Sequence, residues 1–154
     1  MVAMTLYTFL KFLHVLLAII AVGFNASYAI WLPRAARAPE HELHVLRGIK
    51  FLDDRFANPA YALLLVTGIS MVLVGDLSLA TFWLATALVL YGLLVVVGLA
   101  VYTPTLRRQI AVLEGQGAAS EEYRRLSQRG TVAGIVLAVV VVAIVFLMVT
   151  KPTP

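Results

Sequence analysis

His14 lies in the stretch YTFLKFLHVLLAIIAVGFNASY, residues 7–28, which is apolar enough to enter a lipid bilayer. A neutral imidazole in such surroundings can ligate haem iron or copper, and the interiors of helix bundles are where b-type haems are held. Met71 and Met148 are the methionines of the other apolar stretches. A thioether sulfur either completes a haem iron's axial pair or, as a soft donor, favours Cu(I). His14 is the one histidine in any apolar stretch, so two-histidine haem ligation needs the same residue from a second copy. The plainer reading makes His14 an interhelical hydrogen-bonding group and the methionines packing residues.

Other chemistries find no support. The apolar stretches carry no Asp or Glu, which removes a carboxylate pair or carboxylate proton relay. The sequence has no cysteine, hence no disulfide, thiolate site or cysteine nucleophile. The run HELH places His41 and His44 three residues apart, which is not the H-E-x-x-H spacing of zinc proteases, and reads as a solvated charged face. No nucleophile triad or phosphate loop is present, so the sequence leans away from an enzyme without deciding the matter. The net charge is +4, but basic residues interleaved with aromatics, the pattern of nucleic-acid binders, are absent.

The elements that position His14 follow from the composition. Of 154 residues, 62% are hydrophobic and 13% charged. Soluble domains carry roughly twice that charged fraction. A transmembrane helix needs about 20 mostly apolar residues, and four segments qualify: 6–32, 58–75, 80–103 and 130–150. The second is short and is expected to borrow a turn from the residues before Pro59. The first lacks a basic leading region and a cleavage pattern and is too long for a signal peptide's apolar region, so it reads as a retained span.

Arg34, Arg37, Arg47, Lys50 and Arg55 fall in the first connection, and Arg107, Arg108, Arg124, Arg125 and Arg129 in the third. The short second connection, GDLSLAT, has no basic residue. The positive-inside rule then places both long connections in the cytoplasm and both termini outside, in a prokaryotic plasma membrane. In loop one, Pro39 starts a helix whose Val45, Ile49, Leu52 and Phe56 form an apolar face, suited to lying in the interface. In loop three, Ser120 before Glu121 and Glu122 suits a capped helix start, EGQG a turn and Pro104 a kink, giving a basic helical hairpin.

Tyr7, Lys11, His14, Ala18, Ala21, Asn25 and Tyr28 alternate spacings of four and three, which aligns them along one helix face. Polar groups facing lipid are costly, so this seam is expected to face protein. Tyr61, Gly68 and Gly75 recur at heptad spacing on the second span, with Thr67 and Met71 beside them. Tyr91, Gly98 and Tyr102 line the third, and Gly130, Gly134 and Ala138 the fourth. The glycines are expected to allow close helix approach. The fold class expected is all-α: one domain over 1–154, an integral membrane four-helix up-down bundle with an amphipathic helix in loop one and a basic hairpin between spans three and four. Its partners are then the lipid bilayer and either further copies or other membrane subunits.

LKFLHVLLAIIAVGFNAS, DDRFANPAYALLLVTGISMVL and LMVTKP together resemble a bacterial family of predicted four-span integral membrane proteins, the domain-of-unknown-function family numbered twenty-two sixty-nine. The resemblance covers essentially the whole chain and implies a fold and a membrane location. The first-span pattern is also similar to the copper-resistance D domain, linked to copper uptake, and to the membrane protoporphyrinogen oxidases, in which a first-span histidine is implicated in haem binding. His14 is the residue that carries over. The later-span lysine of those oxidases has no counterpart, since the third span here contains no lysine. Three readings stay open: haem b binding or membrane redox chemistry through His14, a non-catalytic membrane subunit or assembly partner, and copper handling through His14, Met71 and Met148.

Overall fold

The computed structural model describes residues 2–152, and all its regular structure is helical. The helices are α1 (Val2–Ala35), α2 (Pro39–Leu52), α3 (Asn58–Val74), α4 (Phe82–Val97), α5 (Thr103–Gln116) and α6 (Glu121–Thr150). Asp53–Ala57 and Gly98–Tyr102 are π-helical turns that join α2 to α3 and α4 to α5 without a break. The result is four long rods, each long and apolar enough to cross a membrane. The rods run Leu6–Ala35, Pro39–Val74, Phe82–Gln116 and Glu121–Thr150.

The two wide turns have a common cause. Each is followed at once by a proline in the first turn of the next helix, Pro59 and Pro104. Proline lacks an N–H, and its ring clashes with the carbonyl four residues back. One wider turn relieves that clash and lets the rod continue. The π turn Asp53–Ala57 thus continues the rod ahead of Pro59. The kink expected at Pro104 is a π turn just ahead of it.

The remaining ends follow local rules. The Ser120 side chain accepts from the Tyr123 N–H at 3.2 Å, which caps α6 as expected. Gly117, at φ +80°, turns the chain between α5 and α6. Val74 is followed by Gly75, whose N–H returns to the Met71 carbonyl at 2.9 Å.

Helix α1 packs antiparallel along α3, and α4 along α6. These pairs form an up-down bundle, closed by α2 and α5 at its basic end, where most arginines lie. Its core holds Tyr28, Leu46, Ile49, Tyr102, Leu106, Val112, Tyr123 and Ala133. A smaller cluster of Ala21, Ala60 and Leu64 joins α1 to α3 at mid-span. Outward residues such as Phe12, Ile19, Leu73, Val89 and Val142 are exposed, as lipid-facing side chains must be.

Helix α2 is amphipathic, but its face differs from the one expected. Glu42, Leu46, Ile49 and then Asp53 are buried, Val45 and Leu52 are half-buried, and Phe56 is exposed. That face is turned to α1 and α5.

Candidate functional site: the seam between the first and third helices

The polar face of α1 meets α3 in antiparallel register. A Cβ added to Gly75 would lie 2.7 Å from Cε2 of Tyr7, and one added to Gly68 would lie 3.3 Å from Cε1 of His14. Seven residues forward on α1 thus match seven residues back on α3. Farther along, Ala21 packs with Ala60 and Leu64, and Asn25 Nδ2 donates to Tyr61 Oη at 2.5 Å. Tyr91 Oη on α4 donates to the Tyr61 carbonyl at 2.5 Å, tying the second helix pair to the first. The seam's glycines are therefore seats for aromatic rings. Lys11 departs from the pattern, with an exposed side chain.

His14 is half-buried, with Nδ1 2.9 Å from Thr67 Oγ1. Thr67 has one hydroxyl proton, and the Leu63 carbonyl takes it at 2.8 Å. The Thr67 oxygen is then left to accept, so Nδ1 of His14 carries the ring proton. The Leu64 carbonyl is a further acceptor beside the ring. Nδ1–H is held on α3, and the Nε2 lone pair of the neutral ring has no hydrogen-bond partner among the described residues. Metal-ligating histidines are held in one tautomer by this same kind of support.

Met71 is half-buried on α3, between the two glycines that touch His14 and Tyr7. Met148 lies on α6, which packs on α4 and α5 and only lightly on α1. Near that end of α6, the Lys151 ammonium sits 5.5 Å from the Trp83 ring centre. The three candidate ligands are thus divided between the two helix pairs. Among the described residues no group of three or more His, Asp or Glu side chains is placed to hold a metal ion. His41 and His44 are exposed, but Glu42 between them is buried, so HELH is not the fully solvated charged face expected.

Of the other small residues, Gly130 lies against Gln109 and Thr105, and Gly134 against Tyr102. A Cβ on Gly98 would meet nothing within 4 Å, so that glycine opens the π turn instead of admitting a neighbouring helix. Tyr28 is 3% exposed, and its hydroxyl has no hydrogen-bond partner within the described protein. It lies in electrostatic range of Asp53, Tyr61 and Tyr102, so both π turns contribute to one buried polar cluster.

A second polar group at the basic end escaped the sequence reading. Glu42, Gln109 and Tyr123 are buried. Tyr123 Oη donates to Glu42 Oε1 at 2.5 Å and accepts from Gln109 Nε2 at 3.2 Å. The spacing of Glu42 to Leu46, Ile49 and Asp53 could have placed the carboxylate on the inner face.

No curated protein and no solved structure matches the chain. Residues 8–152 match the family described as Predicted integral membrane protein (DUF2269), and the chain belongs to that family, whose description the four long apolar rods fit.

Proposed function

We propose that the protein binds haem b within the membrane, with Nε2 of His14 as an axial ligand. The observation that carries the reading is the Thr67 hydroxyl, which holds the Nδ1–H tautomer and leaves Nε2 without a partner among the described residues on a half-buried histidine. Gly68 supports it by leaving room for the ring. Met71, or His14 of a second copy, would supply a second ligand. Haem supplies one-electron redox chemistry, and the protein's own part is to orient the imidazole and keep water from it. The arginine-rich end faces the cytoplasm of a prokaryotic plasma membrane in this proposal, on the distribution of basic residues. The test is the absorption spectrum of the detergent-purified protein, oxidised and dithionite-reduced, beside His14→Ala. A b-type reduced spectrum lost in the variant is the expected result. A featureless spectrum after expression with ample haem overturns it.

A second reading is favoured by the closure of the seam at Gly75, Gly68 and Tyr61. With those positions filled by Tyr7, His14 and Asn25, the protein is a non-catalytic membrane subunit and His14 a fastener between helices. Purification in a defined complex, without cofactor, is the outcome that selects it. Copper handling is a weaker third reading, resting on His14 and Met71, since Met148 belongs to the other helix pair.

A further inference from the structure

A cavity of about 250 Å³ opens at the basic end, bounded by α1, α2, α5 and α6, away from the His14 seam. Pro33, Glu42, Tyr102, Gln109, Tyr123 and Thr131 are among its walls. Glu42, Gln109 and Tyr123 are each about one-twentieth exposed, yet they are polar. Their bonds to one another leave a definite remainder. The Tyr123 proton goes to Glu42 Oε1, and Gln109 Nε2 donates to Tyr123. Glu42 Oε2 and Gln109 Oε1 then have no donor among the described residues.

No ion pair among the described residues reaches Glu42; on the helices that bound the cavity, Arg47 and Arg108 are paired with Glu114 and Glu122. A buried carboxylate without a cation is costly. Among the described residues the one sealed, unpartnered side-chain atom is Tyr28 Oη, so Glu42 Oε2 is not sealed off. A bare metal cation would need about six oxygen ligands, more than this wall offers. A primary ammonium needs three acceptors, and two are already present.

We propose that this cavity is a binding site for a primary ammonium group, with Glu42 Oε2 and Gln109 Oε1 as its acceptors. Leu32 and Pro33 end the first span and Gly130 and Thr131 begin the fourth, so the cavity lies at the depth of lipid headgroups. Arg34 follows Pro33 and is exposed, and its side chain has no partner among the described residues. It is placed to meet the phosphate of a phosphatidylethanolamine headgroup whose amine occupies the cavity. A free small amine presents the same ammonium without the phosphate.

The experiment is thermal unfolding of the full chain in detergent, titrated with ethanolamine or choline, and in mixed micelles with phosphatidylethanolamine or phosphatidylcholine. Choline's trimethylated nitrogen has no N–H to donate. Stabilisation by ethanolamine and phosphatidylethanolamine, but not by their choline counterparts, is the expected result. Stabilisation by the lipid alone names the headgroup as occupant, and by ethanolamine alone a free amine. Glu42→Gln should weaken the response at least tenfold. Ala36→Phe, which fills the cavity from the turn after α1 and leaves the carboxylate in place, should do the same. No stabilisation by either amine, an equal response to choline, or a response that survives Ala36→Phe overturns the proposal.

Discussion

Tyr123 on α6 donates its hydroxyl proton to Glu42 on α2, and the two side chains join helices 81 residues apart in sequence. Burial first, and the bond to Glu42 second, hold the tyrosine well above its ordinary pKa, so it remains the donor at any physiological pH. A hydrogen bond to a charged partner contributes about 1.5–3 kcal/mol. Tyr123→Phe should therefore lower stability by about that amount. In the Glu42→Gln background the same substitution should cost clearly less, because the charge that needed the donor is gone. Thermal unfolding of the two singles and the double closes the cycle. Strict additivity would show that the pair is not coupled.

Gly75 is the tightest point of the α1–α3 seam. A Cβ there would meet Tyr7 Cε2 at 2.7 Å and the Met71 carbonyl oxygen at 2.9 Å. Overpacking of this kind costs about 1–3 kcal/mol. Gly75→Ala should destabilise more than Gly68→Ala, where the nearest atom is His14 Cε1 at 3.3 Å. Tyr7→Ala should recover part of the Gly75→Ala loss, since the Met71 contact stays. Equal melting temperatures for Gly75→Ala and the unaltered protein would show that Tyr7 moves aside freely.

This register is legible in the sequence because two heptad patterns, Tyr7 and His14 on one helix and Gly68 and Gly75 on the other, fit when one runs backward. Periodicity reports a face, and large rings opposite glycines report a match. The burial of Glu42 is harder to read. A carboxylate between two exposed histidines reads as solvated, and only Tyr123, far along the chain, supplies the donor that makes burial tolerable. The π turns are hidden for another reason. Pro59 and Pro104 announce disturbed helix, but whether the chain breaks, kinks or widens depends on the tertiary packing around them.

Thr67 offers a separate test of the haem proposal. Its hydroxyl fixes which nitrogen of His14 carries the proton. Groups in this supporting position typically change metal affinity about 10–100-fold. Thr67→Val should weaken haem retention within that range, and Thr67→Ser should restore it. The readout is haem content per protein after purification, with the position of the reduced absorption bands. Equal haem content in the valine variant would show that Thr67 does not orient the ring.

Tyr28 should be better off without its hydroxyl. The group is buried and has no hydrogen-bond partner within the described protein. An unsatisfied buried polar group costs about 1–3 kcal/mol. Tyr28→Phe keeps the ring that packs with Leu46, Ile49 and Tyr102 and removes only the oxygen. The expected result is a melting temperature equal to or above that of the unaltered protein. A clear loss would show that the hydroxyl has a partner in the membrane-embedded protein, with bound water the first candidate.

Asp53 makes stability depend on pH. It lies in the π turn, outside the apolar part of its rod, is buried, and accepts from Asn58 Nδ2 at 3.2 Å. Burial raises its carboxyl above the ordinary value and neighbouring Asp54 adds to this, while Asn58 and Lys50 oppose the rise. An acid whose folded pKa is raised contributes stability that is fully present below its unfolded pKa. That contribution is lost as the pH rises through the folded pKa. The ionised form is the costly one, so Asp53→Asn, which keeps the acceptor oxygen and removes the charge, should raise the melting temperature at about pH 8. The advantage should shrink as the pH falls toward the ordinary carboxyl range. Melting curves of both proteins across that interval decide it. An asparagine variant less stable at high pH would mean that the Asp53 carboxylate is needed in its charged form.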